Sequence, residues 1–124
     1  MKLETGEWVR KAEGDYQVAA REMLASKPIY DAVCFHAQQC VEKYMKALLV
    51  ENDIPFPKTH DLIVLLDLCV GLIPELVTQR SRLAALSTYA IVFRYPGEEA
   101  IAQDAVEAQN TMNETCSLLR TALE

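Results

Sequence analysis

Apolar residues in this chain recur at steps of three and four, and no segment alternates apolar with polar. That regularity argues against a sheet, since a half-buried strand repeats every two residues and a helix about every 3.6. Trp8, Ala12, Tyr16, Ala19 and Met23 mark a first helix ending near Ser26. Pro28 suits the first turn of a second helix, where its missing N–H costs nothing, and that helix runs to about Asn52. NDIPFPKTHD then breaks the pattern, because Pro55 and Pro57 cannot continue a helix. Thr59 or Asp61 can cap a short third helix carrying Leu62, Leu65, Leu66 and Cys69, which Gly71 ends. Pro74 opens a fourth helix through Leu76, Leu83, Leu86, Ala90 and Phe93, stopped by RYPG. Ile101, Ala105, Ala108, Met112, Cys116, Leu119 and Leu123 mark the last one. Short connections make successive long helices antiparallel. The expectation is an all-α, up-and-down helical bundle of four long helices plus a short one, with residues 1–124 as one domain.

Charge and composition narrow the function. The net charge is −6, and phosphate backbones are bound chiefly through Lys and Arg, so general nucleic-acid binding is not expected. Residues 97–124 hold five Glu, one Asp and one Arg, an acidic stretch read first as a solvated face. No apolar run reaches the roughly 18 residues of a membrane span. The amphipathic start MKLETGEWVRKAEGDY has no continuous apolar segment, so a cytoplasmic protein is expected. Cys34, Cys40, Cys69 and Cys116 form no CxxC pair and read as reduced, buried hydrophobes. No GxSxG, HExxH or glycine-rich phosphate loop occurs, so neither a catalytic residue nor a cofactor is assigned. His36 and Cys40 share a helix face, but two ligands fall short of a metal site, and none is expected.

The second helix is the informative one. At about 100° per residue, Val33, Ala37, Cys40, Val41, Tyr44 and Leu48 form a core face. Phe35, Met45 and Leu49 form another, with Gln38 and Glu42 among them. A helix with two apolar faces is either central in its bundle or buried at a subunit interface. Between them runs a polar stripe of His36, Gln39, Lys43 and Lys46. It reads either as a solvated face carrying a Glu42–Lys46 pair, or as a groove shared with Arg94 at the end of the fourth helix. Arg94 itself reads as a phosphate ligand or as a cap on the helix C-terminus.

YDAVCFHAQQCVEKYMKALLV, followed by PFPKTHDLIVLL, LAALSTYAIVFRYPG and an amphipathic last helix, resembles the HEPN domain family over nearly the whole chain. The resemblance implies a helical bundle that commonly dimerises, with a groove near the dimer seam. In many relatives that groove is a metal-independent ribonuclease site built from an Arg and a His separated by four to six residues. Arg94 matches the arginine, but the histidine would fall at Glu99, Ala100 or Ile101. Proton shuttling near neutral pH is the work of His, so the resemblance implies a non-nucleolytic member. Tyr95 likewise lacks the context of the tyrosine that partner nucleotidyltransferases modify in some relatives. The expected role is nucleotide binding through Arg94, Lys43, Gln39, His36 and Lys46. A homodimer is expected, beside a small nucleotidyltransferase in a toxin–antitoxin-like system. The rival readings are a ribonuclease toxin with a degenerate site and a purely structural subunit.

Overall fold

The computed structural model describes residues 1–124 and contains only helices. They are α1 (Leu3–Met23), α2 (Tyr30–Glu51), α3 (Leu62–Cys69), α4 (Arg80–Val92) and α5 (Ala102–Leu123). They enclose one hydrophobic core of 25 buried residues. No helix is long and apolar enough to cross a membrane.

The central element is α2, which packs against α1, α3, α4 and α5. Its first face, with Val33, Ala37, Cys40, Tyr44 and Leu48, is buried. Cys40 Sγ lies 3.4 Å from Cys116 Sγ of α5. Arg120 of α5 donates to Glu13 of α1 (2.7 Å) and to the Tyr44 hydroxyl (3.1 Å), and its guanidinium lies 4.4 Å from the Tyr16 ring centroid. These contacts tie α1, α2 and α5 together. On the second face Met45 and Leu49 are also fully buried within the chain. The Cys69 sulfur of α3 approaches the Met45 carbonyl at 3.9 Å, and Gln38 reaches the His60 carbonyl at 2.8 Å. The two apolar faces therefore make α2 the centre of the bundle, and of the second face only Phe35 escapes full burial.

Two boundaries depart from expectation. Pro28 precedes α2 rather than opening it, because the helix starts at Tyr30 after an extended Ile29. Pro74 begins not a long fourth helix but a 3-10 segment, Pro74–Gln79, that hands over to α4 at Arg80. The reason lies in the spacing. Ile73, Leu76 and Gln79 are buried at successive three-residue steps, the period at which side chains eclipse in a 3-10 turn. The α period resumes with Leu83 and Leu86.

Asp61 caps α3, its Oδ1 accepting from Ile63 N at 2.9 Å, while Thr59 Oγ1 accepts from Asp61 N at 3.0 Å. Both expected capping residues thus act, one on the helix and one on its cap. Asp61→Ala should lower stability by about 1 kcal/mol, read as a lower urea midpoint with an unchanged slope.

Candidate functional site

Burial leaves α2 a narrow opening. Between residues 32 and 49 only Ala32, Phe35, His36, Gln39 and Lys43 escape full burial. Steps of three and four place them on one stripe along the helix.

One flank of the stripe is Asp15 of α1, itself 9% exposed. Asp15 Oδ1 lies 2.8 Å from His36 Nδ1, and Oδ2 accepts from Lys43 Nζ at 2.6 Å. A carboxylate only accepts, so Nδ1 carries the proton and the lone pair of the neutral ring resides on Nε2. No protein group bonds Nε2. Asp15 was missed in the sequence because it reads as one more charge on an amphipathic helix. A signal existed: it sits at i+3 from Ala12 and i−4 from Ala19, both fully buried, so it shares their stripe. Small neighbours there leave space for the side chains of α2 to reach its carboxylate.

The opposite flank holds Arg94, exposed just beyond α4. Its guanidinium lies 5.9 Å from the Phe35 ring centroid, within cation–π range. Phe35 in turn packs edge-to-face on His36 at 5.2 Å. The guanidinium makes no hydrogen bond or ion pair, and none to a carbonyl of α4. Arg94 stands two residues past Val92, the last residue of α4, where its charge still favours the helix dipole, so its position suits both roles considered from the sequence.

A second polar cluster lies deeper. Glu42, 3% exposed, accepts from Lys46 (3.0 Å), Gln38 (3.3 Å) and Gln39 (3.5 Å) and lies 2.9 Å from His60 Nδ1. Lys46 is 7% exposed, with its ammonium 5.5 Å from the Trp8 ring and 6.0 Å from that of Phe56. Lys46 thus departs from the expected site: Glu42 neutralises it and two aromatic rings cover it. Gln39 joins the clusters, lying on the open stripe while donating to Gln38 Oε1 at 2.8 Å. His60 pins its loop to α2 through Glu42. His36 and Arg94 meet at Phe35, and Lys43 joins His36 through their shared carboxylate, Asp15; Lys46 is not among them.

The positions where the resemblance places a histidine are of three kinds. Glu99 is exposed in the loop before α5, Ala100 is buried, and Ile101 stands at the N-terminal boundary of α5. Glu98 and Glu99 precede the first turn of α5 rather than belonging to it. His36 and Cys40, on one face by spacing, turn apart toward Asp15 and Cys116. No group of three or more His, Cys, Asp or Glu is arranged to hold a metal ion. A separate groove of about 390 Å³ runs between α4 and α5, floored by Ala85, Leu86 and Ala108. Its Tyr89–Glu107 hydrogen bond and Arg82–Glu114 ion pair satisfy the rim internally. It contains none of the expected site residues.

Chemically, the stripe offers a guanidinium without a counter-ion and an imidazole with an open nitrogen, both against the Phe35 ring, with an amide and an Asp15-paired ammonium further along the helix. That set suits an anion with an attached ring. The family model described as the HEPN domain matches residues 5–122. No curated protein and no solved structure matches the chain.

Proposed function

This chain belongs to the HEPN domain family, and on that premise we propose that it is a non-catalytic member that binds a nucleotide along the open stripe of α2. Arg94, Lys43, Gln39 and His36 are its ligands. The observation that carries this reading is the unpaired Arg94 guanidinium held against Phe35. Arg recognises phosphate oxygens through paired N–H donors, and the exposed side of Phe35 provides apolar surface for a base. The absence of His at positions 99 to 101 supports the non-nucleolytic assignment.

The protein acts as a homodimer beside a small nucleotidyltransferase in a toxin–antitoxin-like pair. With Met45 and Leu49 of the second face buried within the chain, the surface that supports a dimer is the exposed apolar set Ile91, Tyr95 and Ile101 (58%, 63% and 63% exposed). One observation favours a rival, a ribonuclease with a displaced site: His36, oriented by Asp15, lies across Phe35 from Arg94. RNA cleavage lost in both Arg94→Ala and His36→Ala would support that rival.

A thermal-shift series with ATP, GTP and their non-hydrolysable analogues tests the binding role. A ligand at a hundredfold excess over its dissociation constant stabilises by about 2.7 kcal/mol, a rise of several degrees for a domain of this size. No rise with any nucleotide would remove the binding role and leave a partner-binding or structural subunit.

A further inference from the structure

We propose that His36 is a phosphoryl-accepting residue, modified at Nε2 by a donor whose phosphorus bears a good leaving group. This deepens the anion-binding reading of the stripe and rests on it. The observations are geometric. Nδ1 is committed to Asp15 Oδ1 at 2.8 Å, and Asp15 is itself fixed by Lys43 at 2.6 Å. The neutral ring therefore presents its lone pair at Nε2, which no protein group occupies. The side chain is 29% exposed, so a small donor reaches it from solvent.

In the reaction the Nε2 lone pair attacks phosphorus and an N–P bond forms. The bond from phosphorus to the donor's leaving group breaks, and that group departs with the electron pair, as ammonia from phosphoramidate or acetate from acetyl phosphate. The Nδ1 proton stays between ring and carboxylate. Positive charge that develops on the imidazole is offset by Asp15. The unpaired cation available to the negative charge on the phosphoryl oxygens is Arg94, held against the Phe35 ring that packs on His36, and a fixed cation of this kind stabilises a charged transition state. No redox partner or metal is needed.

The chain supplies its own control. His60 is the only other histidine, and it too has Nδ1 against a carboxylate, Glu42, at 2.9 Å. It is far more exposed, at 79%. Yet the charge of Glu42 is shared with Lys46, Gln38 and Gln39, that of Asp15 with Lys43 alone, and the ring carrying the unpaired Arg94 guanidinium packs on His36, not on His60. Reactivity set by exposure alone favours His60; reactivity set by the built site favours His36.

The test is to incubate the intact protein with phosphoramidate, digest it, and locate the phosphoryl group by mass spectrometry. The bond should be acid-labile and alkali-stable. The expected result is label on the His36 peptide ahead of the His60 peptide, absent in His36→Gln and unchanged in His60→Gln. Asp15→Asn, checked for native helicity, should slow labelling roughly tenfold or more, the scale on which an outer partner of a histidine acts. Label at His60 equal to or faster than at His36, or at neither residue, would overturn the proposal. ATP binding is measured on the same preparation. Binding retained without His36 label defeats the acceptor role alone; loss of both defeats the anion-binding reading as well.

Discussion

Replacing Glu42 by alanine is expected to destabilise the protein by about 3–5 kcal/mol, a large part of the roughly 5–15 kcal/mol that holds a domain of this kind together. Glu42 is 3% exposed and Lys46 7%. Removing the carboxylate leaves an ammonium among Trp8, Phe56 and the helix with nothing to balance it. Gln38 and His60 lose their shared acceptor too, so the 54–61 loop loses an anchor to α2. The size of the effect comes from the unpaired charge that remains, not from the strength of the pair. The double change Glu42→Leu/Lys46→Met should accordingly recover most of the loss, since apolar groups of similar volume need no partner. Urea denaturation of the three proteins checks this. A single-mutant loss below about 1 kcal/mol would mean that Lys46 reaches water and that the cluster is peripheral.

Alkaline pH should be the second large destabiliser. Burial pushes the Cys69 thiol up to about 12, and burial, then Asp104 and Asp31, does the same for Cys34. Cys40 is raised further by its hydrogen bond to Cys116 and then by burial. Burial and then Glu107 raise the Tyr89 phenol to about 12. In each case the folded state favours the neutral form. An unfolded thiol ionises near 9.0, so above that pH the unfolded chain binds fewer protons than the folded one. Stability is therefore fully present below pH 9 and falls as pH rises toward 12. Each unit removes about 1.4 kcal/mol per shifted thiol, so Cys34 and Cys69 together cost on the order of 5 kcal/mol by pH 11. Urea midpoints at pH 8, 9.5 and 11 should drop steeply over the last interval, and less so in a Cys34→Ala/Cys69→Ala variant. A midpoint unchanged to pH 11 would contradict the buried, protonated thiols.

Helix type and facing were legible in the residues, because a period of three and four needs no knowledge of neighbours. The core face of α2 lies at the expected angles, while Phe35, expected on the second face, opens onto the stripe and Lys46, expected on the stripe, is buried. A helical wheel cannot show what stands opposite each angle. So the second face, with Met45 and Leu49, read equally as a bundle interior or a subunit seam until α3 and the 54–61 loop filled it. The same gap misplaced Lys46: its i,i+4 pairing with Glu42 was visible in the spacing, but the rings of Trp8 and Phe56 that cover it come from distant segments. Asp15 illustrates the converse, a residue whose partner lies on another helix and whose only trace is its register with Ala12 and Ala19. The 3-10 segment after Pro74 shows how a three-residue spacing, Ile73–Leu76–Gln79, is absorbed into a helical pattern when only apolar periodicity is followed. Arg94 came forward through the family resemblance, and spacing alone could not place it; its cation–π contact with Phe35 sets it at the edge of the stripe.

The most direct measurement is calorimetric titration of ATP and GTP into the native protein and Arg94→Ala. The Arg94 side chain is exposed and makes no protein hydrogen bond, so the variant should fold normally, with stability within about 0.5 kcal/mol of native. The account expects saturable binding to the native protein and an affinity at least about tenfold weaker in the variant, corresponding to about 1.4 kcal/mol. Equal affinity in both, or no binding in either, would contradict a phosphate site at Arg94.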